Sequence, residues 1–158
     1  MNTLGRYSQT HQGAPGQSLV EFALTLPLLL IILWGAVDLG RLYNAYVAIT
    51  NASREGARYG ISNPTDTPGI DNRIVTEAAG SGITIDTVAD PNAITVSCYT
   101  YSSLVSGSPA EFDCDSAYKG DAMQVKVELN YQMDTLYLIG IGTVRLSTST
   151  TMSLIKGQ

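Results

Sequence analysis

Few side chains in this sequence are equipped for chemistry, and their positions narrow what that chemistry is. The only histidine, His11, lies in a polar N-terminal stretch, so beyond that stretch no imidazole is left for acid–base work or for binding a metal. Two cysteines, Cys98 and Cys114, stand in the C-terminal half. The acids Glu111, Asp113, Asp115 and Asp121 lie close enough in sequence to gather around a hard cation such as Ca²⁺, or to form a solvated acidic loop. Glu21 is the most unusual carboxylate, because it opens an otherwise apolar run. There is no glycine-rich phosphate loop, nucleophile elbow or zinc-ligand spacing. The sequence therefore predicts no enzyme, no cofactor and no metal centre.

The apolar run positions everything else. From Leu19 to Leu39 only Glu21 and Asp38 carry charge, and that length suits a bilayer crossing of roughly 20 residues. An ordinary secretory signal is cut after its apolar region, at small residues separated by one position. No such pair occurs between Leu33 and Ala48. The expected processing point, Gly16-Gln17, precedes the apolar run, so cleavage would leave the hydrophobic helix on the mature chain. Residues 1–16 then form a removable leader. Pro27 removes one helical hydrogen bond, to the Ala23 carbonyl, and is expected to kink or loosen the helix there.

The run Gly16-Gln17-Ser18-Leu19-Val20-Glu21-Phe22 resembles the prepilin-peptidase site of type IV pilin-like proteins. The continuation is similar to TadE-like minor pilins (pseudopilins) of the tight-adherence (Tad/Flp) pilus machinery. It comprises Glu21-Phe22-Ala23-Leu24, Pro27, Gly35, Asp38, Gly40-Arg41 and Asn51-Ala52-Ser53-Arg54-Glu55-Gly56-Ala57-Arg58-Tyr59. The resemblance covers about 45 residues, and related TadF- and TadG-type components begin in the same way. It implies cleavage between Gly16 and Gln17, an assembly role for Glu21 and Phe22, and a part in assembling or priming a pilus. It also implies a prepilin peptidase, other pilins, Tad inner-membrane assembly proteins and membrane lipid as partners. The expected location is the cytoplasmic membrane, single-pass, with the C-terminal domain outside the cytoplasm and in reach of the pilus or cell surface.

The residues support that reading in physical terms. A carboxylate at the edge of hydrocarbon costs several kcal/mol unless it is paired or reaches the interface. Cleavage would supply an α-ammonium on Gln17 one helical turn before Glu21. In a filament, a neighbouring subunit's ammonium would neutralise Glu21 and fix axial register. The simpler alternative places Glu21 in the headgroup layer. The positive-inside rule points the other way, since Arg41, Arg54 and Arg58 all follow the apolar run. Processing chemistry and the composition of the tail favour an extracytoplasmic C-terminus.

Beyond the apolar run, Leu42, Ala45, Ile49, Ala52, Gly56 and Tyr59 form a seam at alternating spacings of three and four. Ala36 and Gly40 extend its small-residue character toward the membrane. Such a seam packs either on another subunit or on the chain's own sheet. Residues 61–69 read as a turn-rich linker with two prolines, and Ile70, Ile74 and Ala78 as a short helix closed at Gly80. Period-2 alternation predicts strands at Ile83-Thr84-Ile85, around Ile94–Tyr99, along Met123–Tyr131 and along Val144–Leu154. The expected fold is α+β: a long N-terminal transmembrane and stalk helix, residues 17–60, packed on a small antiparallel sheet domain, residues 70–158, with one short extra helix. The apolar segment 136–142 either tucks under the sheet or forms an exposed patch.

Residues 1–60 carry a net charge of +1 and residues 61–158 a net −6. An acidic tail excludes the electrostatic footprint of nucleic-acid binding. An even cysteine count in an exported domain predicts one Cys98–Cys114 disulfide, the alternative being two free thiols. The function class left beside a pilus subunit is a single-span anchored binding domain, an adhesin or sensor, that never assembles.

Overall fold

The computed structural model describes residues 16–133, 137, 140 and 142–155. The leader expected over residues 1–16 lies outside these except for Gly16, as does most of the apolar segment 136–142. The fold is α+β: one long helix, a shorter second helix and a four-stranded antiparallel sheet.

Helix α1, Gln17–Gly60, is a single element of 44 residues, about 66 Å at 1.5 Å per residue. It continues through Pro27 without a break in the helix, so the missing amide costs one hydrogen bond rather than dividing the element. Its two halves live in different surroundings. Residues 17–34 are exposed throughout, whereas Ala45, Ala48, Ile49, Ala52, Ser53, Gly56, Ala57 and Gly60 are buried.

Helix α2, Thr67–Gly80, starts earlier than its apolar periodicity suggests. Asp66 caps it by accepting the Gly69 amide at 3.1 Å, and Pro68 sits in the first turn, where its missing amide is harmless. The expected linker is thus shortened, since residues 67–69 already belong to the helix. Ile70, Ile74 and Ala78 are fully buried along its inner face.

Four strands follow: β1, Ile94–Tyr99; β2, Glu111–Phe112; β3, Ala122–Gln132; and β4, Thr143–Ser153. A five-residue helix, α3 (Tyr101–Val105), fills the excursion between β1 and β2. The sheet order is β2-β1-β3-β4. No strand forms at Ile83-Thr84-Ile85. Instead, the chain is irregular there and turns just beyond, where the Asp86 carboxylate accepts the Val88 and Ala89 amides at 2.9 Å, and Ile85 enters the core from a loop.

Register fixes which side chains share a face. Ile94, Val96 and Cys98 stand opposite Val127, Val125 and Met123, which stand opposite Thr148, Thr150 and Met152. This face meets the helices and forms one cluster with Ile49, Ala52, Ala57, Ile70 and Ile74. The other face is polar. There the Glu128 pKa is held below its ordinary value chiefly by Lys126, whose Nζ lies 2.7 Å away, with Arg145 adding to the effect against the cost of burial.

Candidate functional site

The feature to be explained is a helix that is half core and half bare. The C-terminal half of α1 is built into the domain by small residues. The Ser53 hydroxyl donates to the Val125 carbonyl at 2.9 Å and lies 2.9 Å from Thr150 Oγ1, tying the helix to β3 and β4. Gly56 lets α2 approach: a Cβ at that position would stand 2.7 Å from Ile74 Cδ1, and nearer still to Cγ1. Gly60 is needed for close approach rather than for a left-handed cap. Its φ is not positive, and an added Cβ would meet the Met123 sulfur. Tyr59 donates to Asp66 at 2.6 Å, and the Arg73 guanidinium lies 5.4 Å from the Tyr59 ring centre. Glu55 and Arg58 form an exposed two-bond pair at 2.7 and 2.8 Å, an interaction worth little on a surface.

The predicted seam therefore divides. Ala45, Ile49, Ala52 and Gly56 are buried in the chain's own domain, with Leu42 and Tyr59 half-buried beside them. Ala36 and Gly40 are exposed, and nothing stands within 4 Å of the Cβ position at Gly40. Asp38 is buried and has a partner, although it lies within the predominantly apolar half. A shallow groove lined by Gly40, Arg41, Asn44, Gly82 and Tyr131 marks the junction of stalk and domain.

The bare half holds the residues expected to act in processing and assembly. Gly16 is the residue just before α1, and its carbonyl accepts the Val20 amide at 3.2 Å. The Gly16–Gln17 peptide bond thus sits at the boundary where helix begins, and every residue from 17 onward to 60 is helical. Glu21 is exposed one turn later, with the Gln17 side-chain amide 3.4 Å away. Phe22 is also exposed. Below them Leu24, Leu28–Leu33 and Trp34 present apolar surface with no covering element among the described residues. Among those residues α1 is the one helix long and apolar enough to cross a membrane.

Residues 16–58 match the family model of TadE-like proteins. The TadE-like segment ends two residues before α1 does and includes nothing of the sheet. No curated protein and no solved structure matches the chain. Within the TadE-like segment the small and polar residues from Ala52 to Tyr59 now have structural roles: helix–sheet docking for Ser53, helix crossing for Gly56, and the α2 junction for Tyr59.

Elsewhere the carboxylates named in the sequence act separately. Glu111 accepts the Ser97 hydroxyl at 2.5 Å, Asp113 accepts the Asp115 amide at 3.2 Å, and Asp121 accepts the Tyr118 amide at 3.0 Å. Among the described residues no three metal-ligating side chains gather. Cys98 and Cys114 are joined in a disulfide with Cα atoms 5.2 Å apart, which closes the excursion carrying α3 and β2. Sequence reasoning missed Ser53. Its signal was a hydroxyl embedded among Ala52, Gly56 and Ala57, where a polar side chain is buried only with a partner.

Proposed function

We propose that this chain is a membrane-anchored minor pilin of a Tad/Flp-type pilus, structural rather than catalytic, cut between Gly16 and Gln17 by a prepilin peptidase. The observation that carries the reading is the two-environment helix, whose bare half begins at the expected cut. Residues 17–34 project as uncovered apolar helix, while the turns from Ala45 onward are locked into a domain. Such a helix needs lipid before assembly and other helices after it. Cleavage at its first residue removes the polar leader and leaves the helix intact. The TadE-like match over the same residues supports the association with the Tad pilus. Its proposed partners are the peptidase, other pilins and the Tad inner-membrane assembly proteins, with the C-terminal domain outside the cytoplasm. The disulfide agrees with that side of the membrane.

In this account the Glu21 carboxylate meets an ammonium of a neighbouring subunit within the helix bundle. Removing one member of a buried pair costs about 3–5 kcal/mol. Glu21→Ala is expected to insert and be cleaved like wild type, yet to fall sharply in the sheared-pilus fraction relative to the membrane fraction. An unchanged pilus share would refute the intersubunit role. A plain anchor would tolerate the change, since the segment becomes more apolar.

A further inference from the structure

The two edges of the sheet are unlike. One ends in β2, a two-residue strand tied down through the disulfide excursion. The other is β4, paired to β3 over eleven consecutive residues in one unbroken register. Sheet edges are ordinarily protected by proline, lysine, bulges or shortness. Between Thr143 and Ser153 there is no proline, lysine or bulge; Arg145 is the one charged residue, and the strand is rich in β-branched threonine. Among the described residues, no backbone group beyond β3 bonds to β4 between Thr143 and Ser153.

The direction of α1 decides what kind of copy fits this edge. Thr50 lies against Thr148, Ser53 against Thr150, and the Ile61 carbonyl accepts the Ile155 amide. Helix α1 therefore runs along β4 in the same direction. Antiparallel pairing of β4 with its own copy would require a two-fold axis normal to the sheet. That axis reverses β4 and α1 together, so the two anchors would leave from opposite ends. Two copies held in one membrane leave from the same end, so this pairing is closed to them. Parallel pairing of β4 with its own copy would put the two α1 helices on opposite faces of the joined sheet, so the edge that keeps co-oriented copies with their helices on one face is that of β1 and β2. The strands are compatible, since β1 and β4 are both antiparallel to β3 and therefore parallel to each other. β2 covers only Cys98 and Tyr99 of β1, leaving Ile94–Ser97 without a strand partner on that side among the described residues. Charge favours the same match. Glu111, Asp113 and Asp115 are exposed at the β2 edge, whereas the one charged residue of β4 is the cation Arg145.

We propose that the β4 edge of one copy docks on the β1–β2 edge of the next co-oriented copy, extending the sheet from subunit to subunit. The contact is heterologous and does not close on two subunits, so it joins copies head to tail, as a line wherever the rotation between them does not close a ring. It rests on the pilin reading above, and it assigns to the sheet a contact separate from the helix bundle.

Cysteine cross-linking of the full-length chain, in cells that build the pilus, tests it. Ser149→Cys would be combined in turn with Thr95→Cys, for a level contact, and with Ala110→Cys, for one staggered along the strands. A short thiol cross-linker allows for register. A ladder of dimers and higher species is expected from at least one double variant, and none from any single variant. A dimer from Ser149→Cys alone would overturn the proposal by showing β4 against β4. The pilin reading fails separately, if the chain never enters sheared filaments. Chain that enters them without any ladder would overturn the edge contact alone.

Discussion

Gly56 lies where α1 packs tightly on α2, and its replacement has a calculable cost. A Cβ there would overlap Ile74, whose side chain is fully buried and has no solvent to swing into. Overpacking of this kind costs typically about 1–3 kcal/mol. Gly56→Ala recovers about 1 kcal/mol of helix propensity, leaving a net loss of about 0–2 kcal/mol. Gly56→Val adds two more buried methyl groups with a smaller propensity gain, so its loss should exceed that of Gly56→Ala. Urea unfolding of the disulfide-intact protein in detergent, followed by circular dichroism of the sheet, measures both. Gly80→Ala is the control, because nothing stands within 4 Å of its Cβ position, and it should be neutral or slightly stabilising. Shortening the opposing side chain with Ile74→Ala should couple to Gly56→Val by about 1–2 kcal/mol, the size seen for residues in contact. A Gly56→Val protein as stable as wild type, with no coupling to Ile74, would refute the close crossing of α1 and α2.

Two further predictions concern the docking of helix and sheet. Ser53→Ala leaves the Val125 carbonyl and the Thr150 hydroxyl short of a buried partner, and should cost about 1–3 kcal/mol in the same urea assay; Ser53→Thr offers a hydroxyl and serves as the comparison. Glu128 has a folded-state pKa below its ordinary value of 4.5, so it contributes stability above that pH, and the contribution is lost as pH falls through the lower folded value. Glu128→Gln should therefore flatten the acid limb of the stability profile below pH 4.5; an acid limb of unchanged steepness would contradict the assignment.

Much of this architecture could be read from the chain, because long patterns leave few alternatives. The eleven-residue strands β3 and β4 alternate cleanly, and the register places their apolar sets on one face as period 2 requires. Ile83-Thr84-Ile85 alternates just as well but over three residues, too few to outweigh the turn that Asp86 organises. The start of α2 was written in Asp66, Thr67 and Pro68, a cap and a first-turn proline, and periodicity alone overlooked it. The seam on α1 was visible, but a row of small residues is the same whether a sheet or another helix approaches it. The buried stripe is wider than the heptad seam, taking in Ala48, Ser53 and Ala57, because α1 packs on both the sheet and α2. Which side chains interlock across that distance, Ser53 with Thr150 or Gly56 with Ile74, is set by tertiary contact and has no signature in spacing.

One covalent event separates a pilin from a plain anchor, so the mature N-terminus is the most direct test. Protein should be recovered from the sheared-filament fraction of pilus-building cells and its terminal peptide sequenced by mass spectrometry. A chain beginning at Gln17 is expected, with Gly16→Arg blocking both the cut and entry into filaments. Filament-associated protein that retains Met1, or a chain starting beyond Leu39 with the apolar helix removed, would contradict it.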